Sequence, residues 1–511
     1  MNKGDKKERL HLPNNFRDYD KLSKILLNDS GEDFEHRGQR RALKLFHDMS
    51  KRVPAYIDFL KKNNFDPTTV KNINDFKNVP AVSKDNYLRK YSLEDLSWDG
   101  KLASKQLIFC TTSGSTGEPF YFPHQTDQDW QYVALAELYL RDNFQIHRKS
   151  TLYINGFPMG AWIGGTFTHK AIRMVAEKGE YELSIISPGI HKKEIIKAVK
   201  ALGDKFDQVI IGSYGPFMKD IIDDGNSMNI QWDKYNIGMI FSAEGFTETF
   251  RDHVAKKAGI KNPIQRTLNH YGTVDLGTMS YETPISILAR KLAIKNNEIY
   301  HSLWGDSIKL PTLTQYIPEL FYFEKGDETL YCSAFSGLPL VRYDLKDIGG
   351  VNTFDEISKV FKDSGINLPQ EAKKNSISKI WKLPFVWVFE RNDFSVSLYA
   401  FQIYPATIRN VLQMSKYKAK VTGKFTMLVK FDANHNQYLE VNVELMRGKK
   451  GDKSLEKEIV NSIIKQLTND SSEYRETIKV KGKKIHPQVV FWDYEDETFF
   501  KPGIKQKWVK N

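Results

Sequence analysis

Hydrophobic positions change period several times along the chain, and each change marks a different kind of element. Leu43, Leu45, Phe46, Met49, Val53, Tyr56, Ile57 and Leu60 approximate a 3.6-residue stripe, which predicts helix broken at Pro54. The first hundred residues read mainly as helices. From about 105 to 245, short apolar runs alternate with helical stretches. Gln106–Thr111, Thr151–Asn155, Leu183–Ile186, Gln208–Ile211 and Ile237–Ser242 read as strands, while Ile195, Ile196, Val199 and Leu202 mark one helix face. That alternation predicts an α/β sheet with crossover helices. Residues 295–350 change character again. Short strands such as Glu298–Ser302 and Thr329–Ala334, with the polar segment Phe323–Glu328 between them, predict a β-rich subdomain.

Near the end, Phe425–Phe431 and Tyr438–Leu445 read as strands joined by the turn-rich Asp432–Gln437. Leu455, Ile459, Ile463 and Leu467 then repeat every four residues on a helix, and Gln488–Trp492 closes with a strand. This predicts a small α+β module over 390–511 behind a large region of 1–389, with the boundary near Glu390–Asp393.

Composition narrows the class. The chain has 511 residues, 40% hydrophobic and 13% aromatic, enough for two or three domains and a sizeable core. No apolar run approaches the ~18 residues of a membrane-spanning helix, and the start MNKGDKKERLHLPNN carries no apolar segment of a secretory signal. Cys110 and Cys332 stand far apart, without metal-ligand spacing, so a reduced compartment is expected, the cytoplasm. Lys and Arg total 75 against 63 Asp and Glu, a formal charge of +12 spread along the chain. No zinc finger or other nucleic-acid motif accompanies it, so nucleic acid is not the expected partner. A positive field also suits ATP or an acidic carrier protein.

The strongest local signal is Thr111-Thr112-Ser113-Gly114-Ser115-Thr116-Gly117-Glu118-Pro119, placed directly after an apolar strand. Two glycines permit close backbone approach, and the hydroxyls with exposed N–H groups would make a phosphate cradle. A flexible turn has the same composition. It is not a Walker loop, because no Lys-Ser or Lys-Thr closes it.

Thr112 through Pro119 resembles the phosphate-binding signature of adenylate-forming enzymes. Residues 53–87, ending in Pro80-x-x-x-Lys84, are similar to the amino-terminal region of phenylacetate–CoA ligase-like members. Further stretches follow in the family's order. Phe241-Ser242-Ala243-Glu244-Gly245 resembles the adenine-lining element, with Ser242 and Gly245 departing from it. His270-Tyr271-Gly272-Thr273-Val274-Asp275 resembles the motif whose ring lies against adenine and whose acid holds magnesium, with Val274 and Asp275 departing. Pro339 to Asp347 resembles the element whose last carboxylate accepts the ribose hydroxyls. Glu390-Arg391-Asn392-Asp393 through Pro405 resembles the hinge, with Ala400 where a glycine normally lets pantetheine pass.

The resemblance implies a large multi-subdomain adenylate-forming domain with a small mobile α+β lid. It implies ATP and Mg2+ as cofactors, and activation of a small carboxylic acid as its adenylate. Thr112, Ser113, Gly114, Ser115, Thr116 and Gly117 would hold phosphate. Ala243, Glu244, Tyr271, Gly272, Thr273 and Asp347 would hold adenine and ribose, and Asp275 the metal. Arg391 and Asp393 would form the hinge. Lys505 is the expected catalytic lysine, with Lys501 and Lys507 as competitors because Ile504 replaces a glycine. Phe157 and Gly164 fall where the family builds its acid pocket, and an apolar, aromatic acid suits them. CoA is the acceptor the resemblance implies; a carrier-protein thiol or an amine stays open, as does a homologue that binds nucleotide without turnover.

Overall fold

The computed structural model describes residues 12–103, 106–111, 120–179, 181–305, 310–327, 329–391, 395–500 and 509. The opening region is helical, as its stripe predicts. Gly31–Arg52 starts on a capping box formed by Ser30 and Asp33, and Pro54 heads the next helix, Pro54–Lys62.

β1 (Leu107–Thr111) pairs antiparallel with β2 (Tyr121–Gln125) in a two-stranded ribbon. The sequence reads β1 as part of the alternating region, yet it joins no larger sheet. Its burial explains the difference: Phe109 is 43% exposed, whereas interior parallel strands are covered on both faces. β3 (Thr151–Asn155), β4 (Leu183–Ile186), β5 (Gln208–Gly212), β6 (Gly238–Phe241) and the start of β7 (Thr267–Thr273) are parallel, with β3, β5 and β6 buried throughout. The expected helix face falls in Lys192–Leu202, where Ile195, Ile196 and Val199 are buried.

β8 (Gly277–Tyr281) and β9 (Thr312–Gln315) continue antiparallel. β10 (Phe321–Lys325), β11 (Leu330–Ala334) and β12 (Leu340–Asp344) form a separate three-stranded sheet, and β13 (Asp347–Asn352) and β14 (Phe385–Arg391) return to the main one. Within 295–350 the described strands therefore begin at Thr312. Glu298–Ser302 lies inside the helix Asn297–Trp304, where Ile299 and Leu303 are buried at helical spacing. The Asn296 side chain accepts from the N–H groups of Glu298 and Ile299 at 3.0 and 3.3 Å, a cap that starts a helix.

Across the main sheet the order is β13-β14-β9-β8-β7-β6-β5-β3-β4. The chain runs outward from β3 to β4 and then returns to the other side of β3 for β5. Such a reversal opens a crevice at the carboxyl ends of the parallel strands, the usual place for a ligand.

The last elements are a hairpin, β15 (Val396–Leu398) and β16 (Phe401–Ile403), then a sheet of β17 (Val421–Phe431), β18 (Gln437–Leu445) and β19 (Gln488–Trp492). The predicted stripe Leu455, Ile459, Ile463 and Leu467 is the buried face of Lys453–Asp470. A second helix, Ser472–Lys481, follows it, capped by the Ser471 hydroxyl on the Tyr474 N–H at 3.1 Å. These elements pack on the helix Gly215–Ser227: Phe217 and Ile221 share one apolar cluster with Leu398, Phe401 and Tyr474. Lys481 pairs there with buried Asp220, and the Lys219 ammonium donates to Asn436 Oδ1 at 2.9 Å. Among the described residues no helix is long and apolar enough to cross a membrane.

Candidate functional site

A cavity of about 2020 Å3 opens where the topology predicts it. Phe157 follows β3, Tyr214 follows β5, Ser242–Phe250 follow β6, Tyr271–Thr273 end β7 and Val274–Asp275 follow it; all line it. Lys84, Asp344–Asp347, the β15–β16 hairpin and Glu473 complete the wall. Of the residues singled out from sequence, Ala243, Glu244, Tyr271, Gly272, Thr273, Asp275, Asp347, Phe157 and Gly164 therefore meet in one space. Thr112, Ser113, Gly114, Ser115, Thr116, Gly117, Asp393 and Lys505 lie outside the described residues, and Arg391 is described only as the end of β14. Thr111 and Phe120, on either side of the hydroxyl-rich loop, both line the cavity.

At one end, Tyr271 donates its hydroxyl to Asp347 Oδ2 at 2.6 Å, and its ring lies near-parallel to Phe323 with centroids 6.1 Å apart. Asp347 is 7% exposed and opens β13 after a tight turn in which Lys346 takes the left-handed conformation, φ 62°. Gly272 sits at a register shift between β7 and β8; a Cβ there would stand 2.4 Å from the Gly277 carbonyl oxygen. No side chain fits without moving the strand.

Asp275 is 5% exposed. Tyr343 donates to its Oδ2 at 2.6 Å, and the Lys84 ammonium lies 3.2 Å from Oδ1. Lys84 arrives there because Val82 bridges to Tyr343, exchanging backbone hydrogen bonds with Arg342 and Asp344 at 3.2 and 2.9 Å. Among the described residues no group of three metal-ligating side chains occurs. A single carboxylate is compatible with Mg2+, which keeps waters and substrate oxygens as most of its ligands.

Beneath the loop after β6 lies a buried ion network that sequence reading missed. Glu282 accepts from Arg251 Nη2 at 2.7 and 2.8 Å, from Arg290 Nη1 at 3.2 Å and from the Asn269 N–H at 2.8 Å. Glu248 accepts from Arg251 Nε at 2.8 Å and Arg290 Nη1 at 2.7 Å. Burial alone would raise the Glu248 carboxyl, but Arg251 and Arg290 hold it down at about 2. Arg290 also donates to the carbonyls of Phe246 and Pro311, and Asn269 Nδ2 donates to the Glu244 carbonyl at 2.9 Å. Arg251, Arg290, Glu248 and Glu282, with Lys291 3.3 Å from Glu248, thus fix the backbone of 244–248. Ala243, φ 73°, is held in the left-handed region just ahead of it.

The end at Phe157 and Gly164, where the acid pocket is expected, is apolar. Phe157, Trp162, Phe167 and Tyr132 line it beside Gly164. His270 is packed among Tyr132 and Tyr139, and burial pushes its imidazole down to about 3. His169 bonds Ser187 at 2.8 Å and does not reach the cavity.

The opposite end is closed by the carboxy-terminal elements. Glu244 turns its carboxylate outward to them: it accepts from the Ala400 N–H, from the Ser397 hydroxyl at 3.4 Å and from Gln437 Nε2 at 3.3 Å. Tyr399 and Ala400 form the hairpin turn with φ 47° and 69°, the left-handed pair that lets a two-residue loop follow the strand twist. Glu473, on the first turn of Ser472–Lys481, faces the cavity beside Tyr214, and burial pushes its carboxyl up to about 7. Nothing local in the sequence marks Glu473, since its helix reads as ordinary charged surface. The Pro80-x-x-x-Lys84 ending is the signal that could have placed Lys84.

No family model and no curated protein sequence matches the chain. Among solved structures, 2-hydroxyisobutyryl-CoA ligase with 2-HIB-AMP and CoA in the thioesterification state is similar, with TM-score 0.60 and 13% identity over 95% of this chain and 91% of that one. An open conformation of that ligase with the same ligands gives 0.52 and 12% over 96% and 94%. Amide bond synthetase McbA from Marinactinospora thermotolerans gives 0.44 and 9% over 75% and 65%. At 13% identity the first likeness is one of fold: the α/β architecture described above is shared with that ligase.

Proposed function

We propose that this chain activates a carboxylic acid by adenylation, converting acid and ATP to an enzyme-bound acyl- or aryl-adenylate and pyrophosphate, and then passes the acyl group to a thiol or an amine. The observation that carries this reading is the single cavity in which the separately recognised stretches 243–244, 271–275 and 347 converge with the flanks of the hydroxyl-rich loop. The phenylacetate–CoA ligase-like assignment rests on the order of those stretches, and the apolar walls at Phe157 and Trp162 favour an aromatic acid.

In this mechanism Thr112–Gly117 cradles the outer phosphates, Tyr271 and Ala243 pack the adenine, and Asp347 holds the ribose diol. The Tyr271–Asp347 bond would couple the base and sugar sites. A carboxylate oxygen of the acid attacks the α-phosphorus, and the bond to pyrophosphate breaks. Mg2+, held by Asp275, would supply charge neutralisation at the phosphates, and Lys84 would leave Asp275 for them. Lys505 would steady the attacking carboxylate and the α-phosphate. Catalysis is then positioning plus charge stabilisation, with no nucleophilic side chain.

Residues 1–389 would form the ATP- and acid-binding domain and 390–511 the lid, turning about Arg391 and Asp393 between the two half-reactions. CoA is the acceptor the resemblance implies. Ala400, bonded through its N–H to Glu244 at the cavity wall, stands on the path where a glycine would leave room for pantetheine.

ATP–pyrophosphate exchange across aromatic, fatty and amino acids tests the reading. Exchange with an aromatic acid is expected, falling about 10²–10³-fold in Lys505→Ala, the loss typical of one well-placed stabilising group. Absence of exchange with every acid would leave a nucleotide-binding homologue without turnover.

A further inference from the structure

The end of the cavity remote from Asp275 carries an electrostatic imbalance. The described cations lining the cavity are Lys84, Arg89, Lys346 and Lys430, and the three lysines are ion-paired: with Asp275 at 3.2 Å, Asp344 at 2.7 Å and Glu440 at 2.8 Å. Glu473 also lines it, yet has no hydrogen bond or ion pair among the described residues. Glu476 and Thr477, at i+3 and i+4, extend the same helix face into the cavity, with Glu476 held by Lys479 at 2.7 Å. The neighbouring titratable and charged groups on the wall are Tyr214, Glu244, Tyr399, Lys430 and His435. Of these, Glu244 is engaged by Ser397, Ala400 and Gln437, and Lys430 by Glu440.

The helix bearing Glu473 is fixed at both ends. Tyr474 meets Phe401 edge-on at 5.5 Å, and Lys481 is buried in its pair with Asp220. Glu473 is therefore held over the cavity between the hairpin turn and Tyr214. A carboxylate on a rigid wall, without an ion pair among the described residues and with Lys84, Lys346 and Lys430 each paired elsewhere, suits a cationic ligand. A carboxylate at this end repels the phosphates of CoA.

We propose that the acceptor is a primary amine that enters as its ammonium, and that Glu473 binds it and serves as general base for its attack on the adenylate. This rests on the adenylation reading. In the step, Glu473 takes one proton from the ammonium, and the freed nitrogen lone pair attacks the acyl carbon. The C–N bond forms, the bond from the acyl carbon to the phosphate oxygen breaks, and AMP leaves with that electron pair. The remaining excess proton on nitrogen passes to solvent, leaving an amide. Burial prepares Glu473 for this role, since its carboxyl titrates near neutrality and so is both available as a base and able to hold the proton.

The test separates the two claims. Pyrophosphate exchange by the wild type examines adenylation alone, and its absence removes the earlier reading. With adenylate preformed in single turnover, benzylamine, hydroxylamine and CoA are then offered in turn. Benzylamine is an ammonium at neutral pH, whereas hydroxylamine is already neutral and needs no deprotonation. Transfer to benzylamine is expected to rise with pH through an inflection near 7, and transfer to hydroxylamine to lack it. In Glu473→Gln the ratio of benzylamine transfer to exchange should fall about 100-fold and lose the inflection, with partial rescue in Glu473→Asp. Transfer to CoA in preference to both amines would overturn the proposal. So would equal losses with benzylamine and hydroxylamine, or a wild-type profile without the inflection, which needs no variant to be folded.

Discussion

Single residues at this cavity are constrained by backbone as much as by chemistry. Ala243, Lys346, Tyr399, Ala400 and His435 all line it with positive φ, each without the freedom of a glycine. Strain of this kind gathers where surrounding structure over-determines a site. Gly272 is the converse case, a position where only glycine fits. Its absent Cβ leaves the Gly277 carbonyl room to approach, and an added methyl would start 2.4 Å from that oxygen. Gly272→Ala is expected to lower stability by about 1–3 kcal/mol, as overpacking does. Because the shift passes to Tyr271 next in the strand, nucleotide affinity should fall as well. Thermal unfolding and ATP titration of the variant check both effects.

At the scale of elements, the sequence was most legible where pattern and burial share a cause. β3, β5 and β6 read correctly because parallel strands covered on both faces are continuous apolar runs. Leu455–Leu467 read correctly because one helix face is buried. Glu298–Ser302 read wrongly because the five residues alone do not show the cap on Asn296 or the buried side chains of Ile299 and Leu303 at i and i+4. The second carboxy-terminal helix escaped because Glu473, Glu476 and Lys479 resemble solvated surface, although part of that face turns inward. The stretches at 243–244, 271–275 and 347, singled out by resemblance, line one cavity, yet what holds them there was not legible. Arg251, Arg290, Glu248 and Glu282 come from separate segments, and only the fold brings them together. Removing one member leaves an uncompensated buried charge. Glu282→Gln is expected to cost about 3–5 kcal/mol in denaturant unfolding. Because the four charges act as one network, adding Arg290→Met should cost less than the two single losses combined.

The whole molecule is joined across its cavity. Glu244 and the Lys481–Asp220 pair tie the last elements to the parallel sheet and its helices, and the amino-terminal helices share a core with β10–β12. That compactness sets how the protein responds to acid. His124, on β2, packs against Phe167, His270 packs against Tyr132 and Tyr139, and burial lowers them to about 4 and about 3 from an ordinary value of 6.5. In the folded chain both rings stay neutral well below pH 6, whereas in the unfolded chain both take up protons as the pH falls through 6.5. The unfolded state then binds up to two more protons, so stability is full above that value and is lost progressively below it. The slope contributed by the pair is about 2–3 kcal/mol per pH unit between pH 5.5 and 4.5. Replacing His124 with glutamine removes one of the two titrating rings, so the slope of unfolding free energy against pH should fall by about 1.4 kcal/mol per unit in that window. Below pH 4 the Glu248 carboxylate adds its own loss, since its arginine partners hold it ionised to about 2 while an unfolded glutamate is protonated near 4.5. Unfolding curves at a series of pH values for the wild type and His124→Gln measure these slopes, and parallel slopes for the two proteins would mean that His124 is protonated in the native fold.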